Sequence, residues 1–249
     1  MKNRELWEPT KFVLVRDDWH PSSDPRELAA PSRHTSARAV RAYVSAIRQH
    51  ARGHLLDLGS GKAPLYGAYR AFVSDVTCVD WPGSPHDTKH VDVFADLNEP
   101  LPLDSEEYDT LLSTSVLEHI WGHGTLWAEM SRILRPGGHI ILGTPFMYWL
   151  HEQPHDYFRW TDHALRRAAE EHGLEVVSLA PFGTGMDVLC DVAAKLAHAK
   201  SRRLGRFVAR CTAWIMDLRS VREFSDGKTA SMPLGFLIVA RKPLKAASD

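Results

Sequence analysis

Short apolar runs alternate with helical stretches along most of this chain of 249 residues. Seven runs have the length and composition of strands buried in a sheet, and they lie at 54–58, 76–80, 90–94, 108–113, 139–144, 174–179 and 234–240. Three stretches between them have the apolar spacing of helices, at 64–72, 125–134 and 161–172. This alternation predicts an α/β domain with a mostly parallel sheet covered by helices on both faces.

The two ends of the chain depart from the alternation. Residues 1–34 mix tryptophan, proline and charges without a period, whereas 35–51 has the apolar spacing of an amphipathic helix. We therefore expect an irregular N-terminal arm and a cap helix over 1–50. A helical insertion is expected over 183–232, before the last strand, with two helices at about 186–200 and 203–221. The whole of 1–249 is expected to form a single domain.

The segment 195–222 within the insertion combines a basic and an apolar face. It contains eight Lys or Arg residues and one acid, Asp217. Its apolar stripe consists of Leu204, Phe207, Val208, Cys211, Trp214, Ile215 and Leu218. The favoured interpretation packs this stripe on the domain and leaves the basic face in solvent. The alternative is a peripheral contact with an anionic membrane, or with a phosphorylated substrate carrier.

Charge, cysteine content and hydropathy restrict the class of protein. The 30 basic and 31 acidic residues give a net charge of −1, which by itself indicates neither a nucleic-acid nor a membrane partner, and no nucleic-acid partner is expected. Three cysteines without a CxxC pair favour reduced thiols and the cytoplasm. The apolar runs are too short for a signal peptide or a spanning helix, so neither is expected.

A glycine-rich turn follows the first strand of the expected sheet, in the stretch LLDLGSGKAP at 55–64. Gly59 and Gly61 allow the backbone to turn sharply and a ligand to approach closely. A dinucleotide fingerprint has a third glycine where Pro64 stands, and it makes no use of a carboxylate at Asp57. An acid at the strand end instead suits a positively charged ligand, and S-adenosylmethionine is such a ligand.

Acidic side chains also follow the next two strands. Asp80 ends the second strand, where a carboxylate can accept both ribose hydroxyls, and Trp81 can cover an adenine ring. Asp96 and Leu97 follow the third strand, where a carboxylate and a backbone N–H can contact the adenine edge. Because carboxyl ends of parallel strands meet at one edge, these acids and Asp57 predict a nucleoside site there. The alternative for Asp80 and Trp81 is an exposed acid beside a core tryptophan.

Six motifs together resemble the class I S-adenosylmethionine-dependent methyltransferases, in the group that includes quinone-biosynthesis enzymes. They are LLDLGSGKAP, VTCVDW, ADLNEPLPL, YDTLLSTSVLEHI, LWAEMSRILRPGGHIILGTP and LEVVSL, and they cover about residues 50–182 and the closing strand. The resemblance implies a Rossmann-like sheet of seven strands in the order 3-2-1-4-5-7-6, with the last strand antiparallel. It also implies S-adenosylmethionine as cofactor. The implied binding residues are Asp57, Gly59, Ser60 and Gly61 for the methionine part, Asp80 for the ribose, Asp96 and Leu97 for the adenine, and Ser113 and Thr114 beneath the cofactor.

The loop after the fifth strand contains HEQPH at 151–155, which fits the H-E-x-x-H pattern of zinc proteases. That pattern needs a helix, whereas Pro154 after a buried strand predicts a loop. At this edge of the sheet, the loop is expected to face the reacting methyl group. We expect His155, oriented by Asp156, to act as general base, with His151 as second candidate. The alternative for both is an ordinary loop histidine.

The stretch PHDYFRWT also resembles loops of bacterial methyltransferases associated with cell-surface saccharides and natural products.

Glu118 and His119 are candidate metal ligands. Some relatives bind a divalent metal through E-x-x-E-H and a later histidine, but here SVLEH has Ser115 in place of the first Glu. Glu118 and His119, together with His151 or His155, would still provide three ligands for a metal. The incomplete set predicts that no metal is bound, and the resemblance implies that Glu118 and His119 hold the loop over the cofactor.

These patterns predict a methyltransferase that moves a methyl group from S-adenosylmethionine to a small-molecule or glycan acceptor, at an oxygen atom. The arm and the 151–160 loop are expected to close over the acceptor, and transfer is then direct. Two alternatives stay open, an NAD(P)-dependent oxidoreductase and a non-catalytic cofactor-binding protein at an anionic lipid surface. Pro64 and the strand-end acids disfavour the oxidoreductase.

Overall fold

The computed structural model describes residues 1–229 and 231–245, so residue 230 of the expected insertion and 246–249 of the expected domain lie outside the described residues. The described strands are β1 (Phe12–Val15), β2 (Asp18–Pro21), β3 (His54–Leu58), β4 (Asp75–Asp80), β5 (Val93–Phe94), β6 (Tyr108–Thr114), β7 (Leu134–Pro145), β8 (Glu175–Phe182) and β9 (Gly235–Arg241). The described α-helices are α1 (Arg33–His50), α2 (Tyr66–Tyr69), α3 (His123–Ile133), α4 (Asp162–Glu171), α5 (Gly185–Lys200), α6 (Arg202–Asp217) and α7 (Arg219–Lys228). Within these ranges no helix combines the length and the hydropathy needed to cross a bilayer.

Seven strands form one sheet in the order β5-β4-β3-β6-β7-β9-β8. The strands from β3 to β7 pair in parallel, whereas β9 runs antiparallel to β7 and β8. Counted along the chain, this is the expected order 3-2-1-4-5-7-6 with an antiparallel last strand, and both expectations are confirmed. The carboxyl ends of β3, β4 and β6 therefore lie at the same edge, where a ligand site is expected.

Helices cover both faces of the sheet because neighbouring residues of a strand point to opposite sides. In β3, Leu55 packs in a core shared with α1, whereas Leu56 packs in a second core shared with α3 and α4. Both leucines are fully buried, as are Ile47 of α1 and Trp127 of α3. The expected α/β architecture with two covered faces is confirmed.

The N-terminal arm contains regular structure that its sequence did not indicate. β1 and β2 pair antiparallel, and Arg16 and Asp17 between them have φ angles of 48° and 65°. Phe12 and Trp19 attach the hairpin to the domain, since these residues are only 3% and 7% exposed. The expectation of an irregular arm is wrong here, because strands of four residues are too short to show a clear period.

The described residues of the insertion form three helices, where two were expected. The helix expected over 203–221 is interrupted at Leu218, whose φ of −69° and ψ of 130° are extended. α6 and α7 are therefore separate helices. The apolar stripe of α6 lies in solvent, since Phe207 and Trp214 are each 65% exposed. The interpretation that packs this stripe on the domain is wrong, because helical spacing alone does not show which face is covered.

Candidate cofactor and acceptor site

The glycine turn after β3 has a backbone shape that other residues do not readily adopt. Gly59 and Gly61 have φ angles of 70° and 50°. A Cβ atom at Gly59 would overlap the Val116 side chain, so this position requires both the conformation and the small size of glycine. The N–H groups of Gly59 and Ser60 donate to the Val79 carbonyl oxygen at 2.9 and 3.0 Å. The turn is therefore held against the end of β4.

Asp80 connects the glycine turn to the end of β4. Its Oδ2 atom accepts the N–H of Gly61 at 2.7 Å, and its Oδ1 atom accepts the N–H of Trp81 at 2.7 Å. Because Asp80 is only 8% exposed, the alternative of an exposed strand-end acid does not apply. The carboxylate lies at the edge of the sheet as expected, and its contact with a ribose stays a prediction.

Asp57 lies deeper at the end of β3. It is 6% exposed, and its Oδ2 atom accepts the Tyr69 hydroxyl at 2.9 Å. Burial raises the pKa of the Asp57 carboxyl to about 7, the bond from Tyr69 opposes this rise, and the negative charge of Asp80 adds to it. Such a carboxyl is partly protonated near neutral pH. A positive charge placed beside it would favour its ionised form.

The residues expected around the adenine differ in their exposure. The Trp81 side chain is 42% exposed, and its ring centroid lies 5.4 Å from that of His155. Asp96 is exposed, and its Oδ1 atom accepts the backbone N–H of Asn98 at 2.9 Å. Leu97 is 5% exposed and packs in the core, so its side chain is not available to a ligand. Trp81 and Asp96 are accessible, and their contacts with a nucleoside stay predictions.

The end of β6 contributes two hydroxyl groups. Ser113 is 1% exposed, and within the described part of the chain its Oγ atom has no hydrogen-bond partner. Thr114 is half-buried, and the chain then turns at Ser115 with a φ of 57°. Buried hydroxyl groups are normally bonded, because an unbonded one loses its contacts with water without replacement. The Ser113 hydroxyl therefore lacks a bond that burial normally requires, and its contact with the cofactor stays a prediction.

His151 lies between two carboxylates in the loop after β7. The stretch 151–155 is not helical, which confirms the expected loop and excludes the zinc-protease arrangement. The His151 Nδ1 atom lies 3.2 Å from Asp156 Oδ2, and its Nε2 atom lies 3.6 Å from Glu118 Oε1. Arg159 in turn pairs with both carboxylate oxygens of Asp156, at 2.6 and 2.7 Å. The His151 ring is thus oriented from both sides.

These contacts shift two pKa values in opposite directions. Burial lowers the pKa of His151, but the carboxylates of Glu118 and Asp156 outweigh burial, so the pKa lies above the ordinary 6.5. Burial likewise raises the pKa of Asp156, but the bonds from Arg159 and from the His151 backbone outweigh it and lower the pKa to about 2. Near neutral pH, Asp156 is therefore ionised, and its charge and that of Glu118 favour the protonated form of His151.

His155 has different partners from those expected. Asp156 contacts His151 and not His155, because the Asp156 side chain is almost fully buried and points into the loop. The His155 Nδ1 atom lies 2.9 Å from the Tyr157 hydroxyl, and its backbone carbonyl oxygen accepts His119 Nδ1 at 2.8 Å. Asp156 therefore orients His151, and not His155 as expected.

Glu118, His119 and His151 come together in a geometry that can hold a metal. Each offers one ligand atom, and these atoms lie within 4.8 Å of one another. Among the described residues the buried Glu118 Oε1 has no hydrogen-bond partner, and the bond at His119 Nδ1 leaves the His119 Nε2 atom facing the cluster. Two histidines and one carboxylate are a possible set for zinc. His155 does not belong to the set, and the expectation that no metal is bound stays a prediction.

Three residues near the site gave no signal in the sequence. Tyr69 bonds Asp57, and the Thr144 hydroxyl donates to Glu118 Oε2 at 3.3 Å. Burial lowers the pKa of the Lys11 amino group in the arm, and the negative charge of Glu118 acts in the opposite direction. No motif connects the arm with Glu118, so only the folded chain brings these residues together.

Comparison with known proteins identifies the domain. Residues 56–142 match the family model described as a methyltransferase domain. The chain carries a methyltransferase domain. The match confirms the expectation of a class I methyltransferase that uses S-adenosylmethionine, whereas the narrower group of quinone and saccharide enzymes stays a prediction. No curated protein matches the chain.

Solved structures resemble this methyltransferase in fold at low sequence identity. Geranyl diphosphate C-methyltransferase from Streptomyces coelicolor A3(2) is 16% identical with a TM-score of 0.55, over 88% of this chain and 84% of that protein. An S-adenosylmethionine-dependent methyltransferase from Mesorhizobium loti is 18% identical with a TM-score of 0.52, over 84% and 100%. The cyclase SpnF is 17% identical with a TM-score of 0.54, over 84% and 83%. At these identities the likeness shows the fold alone.

Proposed function

We propose that this methyltransferase transfers a methyl group to an oxygen atom of a small-molecule or glycan acceptor. The observation that supports an oxygen acceptor is the His151 imidazole, which Asp156 and Glu118 orient at the carboxyl edge of the sheet. A hydroxyl group must lose its proton when it is methylated, so a base beside the methyl group serves oxygen acceptors in particular.

The chain's own residues supply the alignment and the proton acceptor. S-adenosylmethionine supplies the methyl group on a sulfonium and leaves as S-adenosylhomocysteine. His151 Nε2 takes the proton of the acceptor hydroxyl as the new carbon–oxygen bond forms. The Asp156 carboxylate, 3.2 Å from His151 Nδ1, fixes the tautomer that leaves Nε2 available. The charge of Glu118, 3.6 Å away, stabilises the imidazolium that results.

The N-terminal arm is placed to exclude water from the cofactor. The Trp7 indole N–H donates to the Ala63 carbonyl oxygen at 3.0 Å, beside the glycine turn. Lys62 of the same turn pairs with Glu27 of the arm at 3.1 Å. These two contacts support closure of the arm over the cofactor, and the proposal adds closure of the 151–160 loop over the acceptor.

A screen of acceptors with isotopically labelled S-adenosylmethionine tests the proposal. The panel contains alcohols, phenols, sugars, amines and thiols, and mass spectrometry shows which compounds gain one methyl group. We expect transfer to hydroxyl compounds, and we expect His151→Asn to lose transfer while it still binds the cofactor. His163→Asn is the matched control, because the His163 side chain is 92% exposed on α4. Transfer to nitrogen or carbon alone would refute the oxygen acceptor.

Cofactor binding separates this proposal from the two alternatives. Calorimetry should show binding of S-adenosylhomocysteine and none of NAD, and the opposite result would favour the oxidoreductase. Tight binding of S-adenosylhomocysteine without transfer to any acceptor class would favour a non-catalytic protein. A cytoplasmic location is part of the same proposal, and the three unpaired cysteines support it.

A further inference from the structure

We propose that helices α5 and α6 form a docking surface for an anionic lipid bilayer. The first observation is the way in which α6 packs. Gly205, Ala209, Thr212 and Met216 share one face of the helix, on which Gly205 and Met216 are buried. A Cβ atom at Gly205 would overlap His198 of α5. This face therefore lies against α5 at Gly205.

The apolar stripe of α6 lies on another face and is exposed. Phe207 and Trp214 are seven residues apart on the same side of the helix, and each is 65% exposed. Leu204 and Leu218 continue the stripe toward the two ends of α6, and each is 38% exposed. Large apolar side chains that lie together in solvent indicate an interaction surface.

α5 extends this apolar surface. Its Leu189, Val192 and Leu196 recur at helical spacing and are 60%, 45% and 69% exposed. The residues that α5 buries include the smaller Cys190 and Ala194. Both helices thus leave large apolar side chains in solvent.

Positive charge borders the apolar surface. Four arginines of α6 are exposed, and within the described residues none has an ion-pair partner: Arg202, Arg203, Arg206 and Arg210. The acids of α5 do not neutralise them, because both are buried. Asp187 pairs with Arg38 at 2.9 Å, and Asp191 pairs with Lys195 at 2.6 Å. An exposed apolar stripe beside arginines is typical of helices that lie in the interface of an anionic bilayer.

A second copy of the chain fits this surface less well. In a twofold dimer the same patch faces itself, so the α6 arginines of the two copies would lie near one another. Like charges across an interface disfavour association. Anionic headgroups can instead pair with the guanidinium groups, while Phe207 and Trp214 enter the region between headgroups and acyl chains.

The docking surface also contacts the acceptor loop. Lys195 of α5 is 5% exposed, and its Nζ atom lies 3.6 Å from the centroid of the Tyr148 ring and 4.7 Å from that of Trp149. Trp149 and Leu150 precede His151 and are 55% and 66% exposed. Docking would therefore hold the opening of the acceptor site close to the bilayer, a consequence that rests on the proposed function.

Vesicle flotation with the full chain tests the docking surface. We expect the protein to float with phosphatidylcholine vesicles that contain phosphatidylglycerol. We expect it not to float with vesicles of pure phosphatidylcholine. High salt should lower the bound fraction, because it screens the arginines. The double change Phe207→Ser with Trp214→Ser, and the triple change of Arg202, Arg203 and Arg206 to Ala, should each weaken binding by about tenfold or more.

Matched changes elsewhere provide the controls. Phe72→Ser removes another exposed aromatic, and Arg166→Ala with Arg167→Ala removes exposed charge from α4. Thermal unfolding shows that each variant is folded. The proposal would be overturned if flotation did not depend on phosphatidylglycerol. It would also be overturned if the α6 changes left flotation unaffected. So would a dimer in light scattering that Phe207→Ser abolishes, since the occupant would then be a second copy. Flotation requires no methyl transfer, so a failure of the proposed function leaves this result interpretable.

Discussion

Replacing Asp57 by asparagine should raise the stability of the ligand-free chain at neutral and higher pH. The pKa of the Asp57 carboxyl is about 7 in the folded chain, against 3.8 without the fold. Between these two values the folded chain binds more protons than the unfolded chain. The free energy of unfolding therefore falls as pH rises from about 4 to 7, and the loss is complete above the folded pKa.

The size of this effect follows from the two pKa values. A rise from 3.8 to about 7 corresponds to about 4 kcal/mol, at about 1.4 kcal/mol for each tenfold change in proton affinity. An asparagine has nearly the same shape, carries no charge, and can still accept the Tyr69 hydroxyl, which lies 2.9 Å from Asp57 Oδ2. The free energy of unfolding of Asp57→Asn should thus exceed that of the wild type by up to about 4 kcal/mol at pH ~8. This difference should shrink toward pH ~5.

Urea unfolding of the ligand-free chain at several pH values measures this difference. Tryptophan fluorescence follows unfolding, and the linear dependence on urea gives the free energy at each pH. Asp104→Asn is the control, because it removes the same charge from an exposed position. A constant difference between Asp57→Asn and wild type at every pH would refute the reasoning, and so would a variant less stable than wild type at pH ~8.

Three further predictions concern the site. Gly59→Ala should destabilise the chain by about 1–3 kcal/mol, because φ is 70° there and a Cβ atom overlaps Val116; urea unfolding measures the loss, and unchanged stability would contradict it. The rate constant kcat should rise with pH through a pKa above the ordinary 6.5 of histidine, because His151 accepts a proton only in its neutral form; a kcat that falls over that range would exclude His151 as base. Chelators should leave methyl transfer unchanged, because a metal on the Glu118 cluster would occupy the His151 nitrogen that the proton needs; loss of activity restored by added zinc would show that a metal is required.

The sheet could be predicted from the sequence because the necessary information is local. Leu55 and Leu56 are adjacent and both fully buried, which is the pattern of a strand covered on both faces. The positions of Gly59 and Gly61 similarly predicted a sharp turn, and both glycines have positive φ angles in the structure. The resemblance to a known family added the strand order, including the antiparallel last strand.

The acceptor loop and the insertion could not be predicted in the same way. Asp156 contacts one side of the His151 ring and Glu118 the other, and Glu118 belongs to a segment far away in the sequence. The apolar spacing of α6 shows that one face is apolar, but it does not show what covers that face. Phe207 and Trp214 fit a core and a bilayer equally well as a pattern, and only their exposure distinguishes the two.

A crystal structure with bound S-adenosylhomocysteine is the most direct test of the central claim that the strand-end acids bind a sulfur nucleoside. We expect both ribose hydroxyls within about 2.5–3.0 Å of the Asp80 carboxylate, and the sulfur atom facing His151 across the glycine turn. A nucleoside bound elsewhere on the domain, with Asp80 bonded only to Gly61, Trp81 and Ser84, would contradict the account.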